Sequence, residues 1–310
     1  MPEKDLSFRI DFVQKIIEFD EKTGEFKAAL IPDPERYESK NRDGKDYIYD
    51  KFNHLLIPLE EVAKAAGRAA TLPMYYSPPR IADLPAYIEG RIPSIRDFLG
   101  SDDSSYAAVD KSEEFLQSLS VDKMKFVVLC IDLVGSTVLS SKLPERQYTK
   151  VISLFLRETS AVVSAHHGYV LKYTGDGLIA YFPEPNYIGM NDNAFDCAVA
   201  MKYVVMQAVN RVLIEKGLPP LQTRIGIDSG EAMVATIGDV SSKQQKDLIG
   251  LTVNLASKIQ AKADPDQILL GASTARNLHV TRRKLVRESG RKIDQAKTDG
   301  TAYPAFQADI

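Results

Sequence analysis

KFVVLCID, Lys125 to Asp132, followed by LVGST to Thr137, is a continuous apolar run of strand length that closes on an aspartate. A strand apolar on successive residues is one covered on both faces. Downstream, Pro144 suits the first turn of a helix, and Tyr148, Val151, Ile152, Phe155, Val162 and Val163 recur at helical spacing until Gly168. GYVLKY and GLIAYF then flank Thr174, Gly175 and Asp176, which predicts a tight β-hairpin. A second helix is expected from about Asn191 to Lys216, closed by Gly217 and Pro219. TRIGID and EAMVATIG read as two strands joined through Ser229 and Gly230. KDLIG reads as a short strand, TVNLASKIQAKA as a helix and QILLG as a further strand. The order is βαββαβ with additions, so the expected class is α+β: a ferredoxin-like sheet with helices on one face.

Outward from this block the pattern changes. Nine of the 16 prolines fall in the first 100 residues, clustered around Leu72–Pro93, where they break long helices and central strands. Phe8–Phe19 reads as a short amphipathic helix, Leu59–Gly67 as another stopped by its glycine, and Ser112–Leu119 as a linker helix. A boundary near residue 120 is expected, with an accessory or regulatory region over 1–120 and the patterned domain over 121–310. The 310 residues suit two ordinary domains.

Composition narrows the classes. The chain is 44% hydrophobic and 26% charged, near the globular average. Lys and Arg total 39 against 42 Asp and Glu, a formal charge of −3 without a block of one sign, which argues against a nucleic-acid partner. Cys130 and Cys197 both lie in apolar runs and support neither a disulfide framework nor a thiolate zinc site. No stretch reads as a membrane span or signal core, so the expected setting is cytoplasmic.

The chemistry-bearing residues gather at strand ends. Asp132 ends the first strand of the block and Asp176 sits at the hairpin tip, and in a βαββαβ sheet the two strands lie side by side. Paired hard-oxygen ligands at one rim fit two Mg²⁺ or Mn²⁺ ions working on nucleotide phosphates. An aspartate at a hairpin tip also serves turn chemistry by itself. Gly135, Ser136 and Thr137 before a helix offer either backbone donors to phosphate or a plain helix cap. His54, His166, His167 and His279 have no metal-ligand spacing, and Ser136 and Ser229 have no partnered base in the sequence pattern, so nucleophilic hydrolysis is not supported.

IDLVGST, KYTGDG, RIGIDSGE and DLIGLTVNLASK occur in this order, and together they resemble the class III nucleotidyl cyclase catalytic domain of adenylate and guanylate cyclases. The resemblance covers about Phe126 to Phe306. It implies that Asp132 and Asp176 hold two divalent ions, one activating the ribose 3′-hydroxyl and the other gripping the triphosphate. Lys172 and Asp247 fall at the positions that read adenine in adenylate cyclases, Asn254 at the ribose-orienting position and Arg224 at a phosphate contact. Lys258 stands where the family places an arginine that stabilises charge on the phosphates. Lysine keeps that charge and loses the planar fork. The resemblance further implies a nucleoside triphosphate substrate, with ATP expected, and a head-to-tail homodimer whose two sites are shared between subunits.

Two alternatives stay open on the residues. Pyrimidine cyclases of antiphage defence, making cUMP or cCMP, are similar in the core and can carry lysine at the arginine position, as Lys258 does here. A catalytically silent nucleotide-binding or partner-binding domain is the other, against which Asp132, Asp176 and Asn254 stand. The aromatic and proline-rich stretch before residue 93 reads either as a docked extension or as a surface for a regulatory ligand or protein.

Overall fold

The computed structural model describes residues 9–19, 26–71, 78–101, 115–119, 123–183, 187–238, 245–294 and 302–310. They group into two compact units, Met1–Tyr76 with Arg276–Lys284, and Ser77–Ala275 with Leu285–Ile310. This grouping differs from the expected division near residue 120. Helix Leu84–Gly100 counts with the larger unit because its side chains are anchored there, while nine residues from late in the chain complete the smaller one.

The smaller unit pairs β1 (Phe12–Phe19) with β2 (Phe26–Pro32), and β3 (Tyr37–Arg42), β4 (Lys45–Asp50) and β5 (Leu55–Pro58) in a second antiparallel sheet. The helix expected over Phe8–Phe19 is therefore a strand where it is described. Pairing with β2, register Phe12 to Pro32, outweighs the helical spacing of its apolar residues. Helix α1 (Leu59–Thr71) runs past Gly67, so that glycine does not stop it. Tyr37, Ile48, Ile57 and Val62 form the core. Beside it the fully buried Arg36 donates to Asp11 at 2.8 Å, to Asp50 at 3.0 Å and to the carbonyls of Arg276 and Leu278. Every charge in that cluster is compensated within the unit, as a buried guanidinium requires.

The larger unit begins with α2 (Leu84–Gly100), capped by Asp83, whose side chain accepts from the Ala86 N–H, with Pro85 in the first turn. Then follow β6 (Lys123–Leu133), α3 (Ser136–Lys142), α4 (Glu145–Ala165), β7 (Tyr169–Tyr173), β8 (Gly177–Pro183) and α5 (Tyr187–Tyr203), which continues through a π-helical segment, Val204–Val209, into α6 (Asn210–Glu215). Next are β9 (Thr223–Ile237), β10 (Gln245–Ile249), α7 (Leu251–Ala261), β11 (Gln267–Gly271), α8 (Ala272–Asn277), α9 (Val280–Arg283), β12 (Val286–Ile293) and β13 (Tyr303–Ala308). The sheet order is β12-β13-β11-β9-β6-β8-β7, with β10 on β9. Within it β9-β6-β8-β7 is the all-antiparallel βαββαβ core, so the α+β expectation holds.

Three details differ from the sequence reading. TRIGID and EAMVATIG are one continuous strand, β9, because Gly230 stays extended in the ladder opposite Phe126 while pairing passes from β6 to β10. The helices do not all lie on one face. Val163 of α4 and Phe182, whose strand partner is Val127, both press on Gly168 on one face, whereas α7 crosses the opposite face above Gly226. Finally, Gly189–Glu215 is long and apolar enough by composition to cross a membrane, although 56% of its most apolar window is buried inside the unit, as suits a core helix. Of the expected linker helix only one turn, residues 115–118, is described, and residues 112–114 lie outside the described set, as do 72–77 of the proline-rich stretch.

α2 is held by charge as well as by Ile88, Ile92, Ile95 and Phe98. Arg91 makes a fork-like pair with Glu158 of α4, at 2.7 and 2.8 Å, and the Glu158 carboxylate is fully buried. Replacing Arg91 by Met leaves that buried carboxylate only the longer ion pair with Arg157, at 3.6 Å, so thermal unfolding should show a loss of about 3 kcal/mol and a midpoint roughly 10 °C lower. A midpoint equal to the wild type would mean that α2 does not brace the larger unit.

Candidate functional site

β6 carries Asp132 to the rim of the sheet between its neighbours β8 and β9. Its strand partners are Gly177 on one side and Arg224 on the other. Gly177 is required there: a Cβ would lie 2.4 Å from the Ile131 carbonyl and 3.0 Å from Asp132 Oδ1. The GDG of the hairpin thus supplies Asp176 and the clearance for Asp132 in adjacent residues, a packing role that the turn pattern alone did not reveal. Thr174 closes the hairpin, its N–H donating to the Gly177 carbonyl at 2.9 Å.

The electrostatics at this rim follow from crowding. Burial, the charge of Asp176 and a hydrogen bond with it push Asp132 up to about 6, against the opposing pull of the Leu133 N–H and of Arg224. Asp132 and Asp176, with the Ile131 carbonyl beside Gly177, form a hard-oxygen donor set of the kind a small divalent cation takes. The residues fit Mg²⁺ or Mn²⁺. Among the described residues no cluster of three or more His, Cys, Asp or Glu side chains forms, so further ligands would come from backbone, water or substrate oxygens.

A second pair forms between β7 and β10. Lys172 Nζ meets Asp247 Oδ2 at 2.5 Å although the residues stand 75 positions apart in the chain. β7 presents the lysine, and a register shift between Val170 and Lys172 realigns it with Ile179. Asp247 comes from β10, its other oxygen accepting from the Leu248 N–H at 2.8 Å. One group offers a donor and the other an acceptor, side by side and partly open to solvent.

Asn254 and Lys258 are both exposed, four residues apart along α7. Among the described residues neither forms a hydrogen bond or ion pair with Asp132, Asp176, Lys172 or Asp247. The structure therefore assembles an acidic rim with Arg224, a Lys172–Asp247 pair and a polar helix face within one chain, and joins none of the three to another by a hydrogen bond or ion pair. Ser136 opens α3 after Gly135, whose φ of 69° is left-handed backbone, and no side chain caps that helix.

Residues 120–303 match the adenylate and guanylate cyclase catalytic domain family. Putative adenylate cyclase 3 of Rhizobium meliloti is 29% identical over 160 residues, 52% of this chain and 24% of its own length. An uncharacterized protein of Mycobacterium tuberculosis is 29% identical over 184 residues, covering 58% of this chain and 32% of its own. The chain thus spans about a third or less of the length of these curated relatives. Among solved structures, the guanylyl cyclase Cya2 superposes with a TM-score of 0.53 at 24% identity, covering 61% of this chain and 94% of that one. The adenylyl cyclase CyaB from P. aeruginosa gives 0.53 at 23%, covering 61% and 96%. At these identities the likeness concerns the fold.

The raised pKa of Asp132 has a measurable sign. A carboxyl raised in the folded state stabilises below its unfolded pKa, and that contribution fades as pH rises through about 6. Asp176→Asn removes the neighbouring charge, so in EDTA its melting temperature should exceed the wild type at about pH 8 and match it near pH 4. Parallel melting curves at both pH values would show that the two carboxyls do not interact.

Proposed function

The chain belongs to the adenylate and guanylate cyclase catalytic domain family, and from that premise we propose that it converts ATP to 3′,5′-cyclic AMP and pyrophosphate at sites shared by two copies of itself. Residues 121–310 carry the chemistry in this reading, and 1–120 form an accessory region. The observation that carries the base assignment is the Lys172–Asp247 pair, since an ammonium and a carboxylate side by side match a ring-nitrogen acceptor and an exocyclic amino donor of adenine. Relatives named adenylate cyclase, from Rhizobium meliloti and Anabaena cylindrica, support it.

Asp132 and Asp176 would hold Mg²⁺ or Mn²⁺, two ions per site, which supply Lewis acidity to the 3′-hydroxyl and the triphosphate. Arg224, across the ladder from Asp132, puts a fixed positive charge where phosphate oxygens gather. Asn254 orients the ribose, and Lys258 meets charge that develops on the phosphates as the 3′-oxygen attacks the α-phosphorus and pyrophosphate departs. The reading includes a head-to-tail dimer, in which each site takes its aspartates from one subunit and its base and ribose contacts from the other, and the lack of any hydrogen bond or ion pair among the described residues between the two aspartates and Asn254 or Lys258 supports it.

Lys258, in place of an arginine, favours a second reading in which the base is uracil or cytosine. Incubating the purified chain with ATP, GTP, CTP and UTP in Mn²⁺ and identifying products by mass spectrometry decides between them. Cyclic AMP as the main product is expected. Dominant cUMP or cCMP moves the assignment to a pyrimidine cyclase, and no cyclic product from any nucleotide leaves a silent binding domain.

Two further outcomes test the site. Lys258→Ala should lower kcat more than it raises KM, while Lys258→Arg retains or raises activity. Each of two chains, one Asp132→Ala/Asp176→Ala and the other Asn254→Ala/Lys258→Ala, should be inactive alone. Mixed under subunit exchange they should recover about a quarter of wild-type activity per chain, because half the dimers are mixed and each has one intact site. No recovery despite demonstrated exchange would place the whole site in one chain.

A further inference from the structure

A buried carboxylate that the proposed chemistry does not use lies under α7. Asp228 stands in β9 between Gly226, above which α7 passes, and Gly230, which meets Thr252. It is 2% exposed. Burial pushes it up to about 7, while hydrogen bonds from Tyr303 and the Ser229 N–H oppose that shift. The direction of the Tyr303 bond is determined by its neighbours. Ser273 N–H donates to Tyr303 Oη at 2.7 Å, so the phenol proton goes to Asp228 Oδ1, 2.9 Å away. Ser229 Oγ donates to Ser273 Oγ at 3.0 Å, tying the start of α8 to β9.

Gly271 makes the bond sterically achievable. A Cβ at that position would lie 2.1 Å from Asp228 Oδ1 and 2.8 Å from Tyr303 Cε1. The Tyr303 ring packs against the cluster of Leu255, Ile259, Ala263, Leu269 and Ile293. Leu255 and Ile259 are the residues that follow Asn254 and Lys258 on α7, so the apolar stripe resting on the Tyr303 cluster flanks the polar stripe directed outward.

We propose that the Tyr303–Asp228 hydrogen bond, housed by Gly271, is a positioning lock that sets α7 on the sheet and thereby aims Asn254 and Lys258. Tyr303 and Asp228 are positioning residues and touch no reacting atom. The proposal rests on the cyclase reading for what Asn254 and Lys258 do, and on the packing alone for what holds their helix. An unpaired carboxylate under α7 would draw water or shift the strand, and either response reaches the helix through Leu255 and Ile259.

The test uses the full chain and two separate readouts: amide hydrogen exchange over 251–261 compared with 145–165, and kcat and KM for ATP with Mn²⁺. Tyr303→Phe should speed exchange in α7 about tenfold without a matching change in α4, and lower kcat about tenfold with KM within about twofold. Asp228→Leu should do the same, and the double variant should be no worse than the more severe single, because the two residues act through one bond. Gly271→Ala, which leaves both partners in place and separates them, should reproduce the exchange result. Wild-type exchange in α7 of Tyr303→Phe overturns the lock. So does equal loss of protection in α4 and α7, which is a general loss of stability. A wild-type chain that cyclises no nucleotide sinks the cyclase reading alone, since the exchange readout does not depend on turnover.

Discussion

Among the described glycines of the larger unit, the tightest approach of backbone to backbone is the passage of α7 over Gly226. A Cβ on that residue would lie 2.2 Å from the Gln260 amide nitrogen and 2.5 Å from the Ala256 carbonyl, so backbone rests nearly on backbone. No other residue type leaves room for that approach. From this contact the rest follows in both directions along β9. Two residues earlier Arg224 faces Asp132 at the acidic rim, and two and four residues later Asp228 and Gly230 lie beneath the same helix. The helix that presents Asn254 and Lys258 is therefore referenced to the same strand that borders the aspartates.

Buried charge is the second organising element, and it is handled differently at each place. Arg36 is surrounded by two carboxylates and two carbonyls, and Glu158 by the fork of Arg91. In both, desolvation is offset by short, directed hydrogen bonds, and removing a partner would leave a charge in an apolar setting. Asp132 is the exception, since burial and the neighbouring Asp176 outweigh the pull of the Leu133 N–H and Arg224 on it.

The N-terminal region shows where local pattern misled. The spacing of Phe12, Ile16 and Phe19 suits a helix face, yet Phe12–Phe19 pairs with a strand that the sequence did not mark. Pairing partners lie outside any local window, and β structure depends on them more than on intrinsic preference. Gly67 failed as a stop for a related reason. An interior glycine costs a helix only about 1 kcal/mol, which neighbouring turns of α1 can offset.

What the sequence determined by itself was the βαββαβ order, and it nominated candidate site residues. Strand length, helical period and hairpin chemistry are local properties, and four motifs in fixed order agree with them. Asp132 and Asp176 were legible as candidates at a strand end and a hairpin tip, whereas Lys172, Asp247, Asn254 and Lys258 were candidates only through the resemblance of the four motifs to the cyclase family. Only the tertiary structure decided which of these meet. It put Lys172 against Asp247 across 75 residues, set Arg224 opposite Asp132, and carried α7 to the opposite face of the sheet from α4. It also counted α2 with the larger unit and Arg276–Lys284 with the smaller one. The physical reason is the same throughout. Periodicity reports which side of an element is apolar, whereas the neighbour that covers that side is chosen by close packing and charge compensation between segments far apart in the chain.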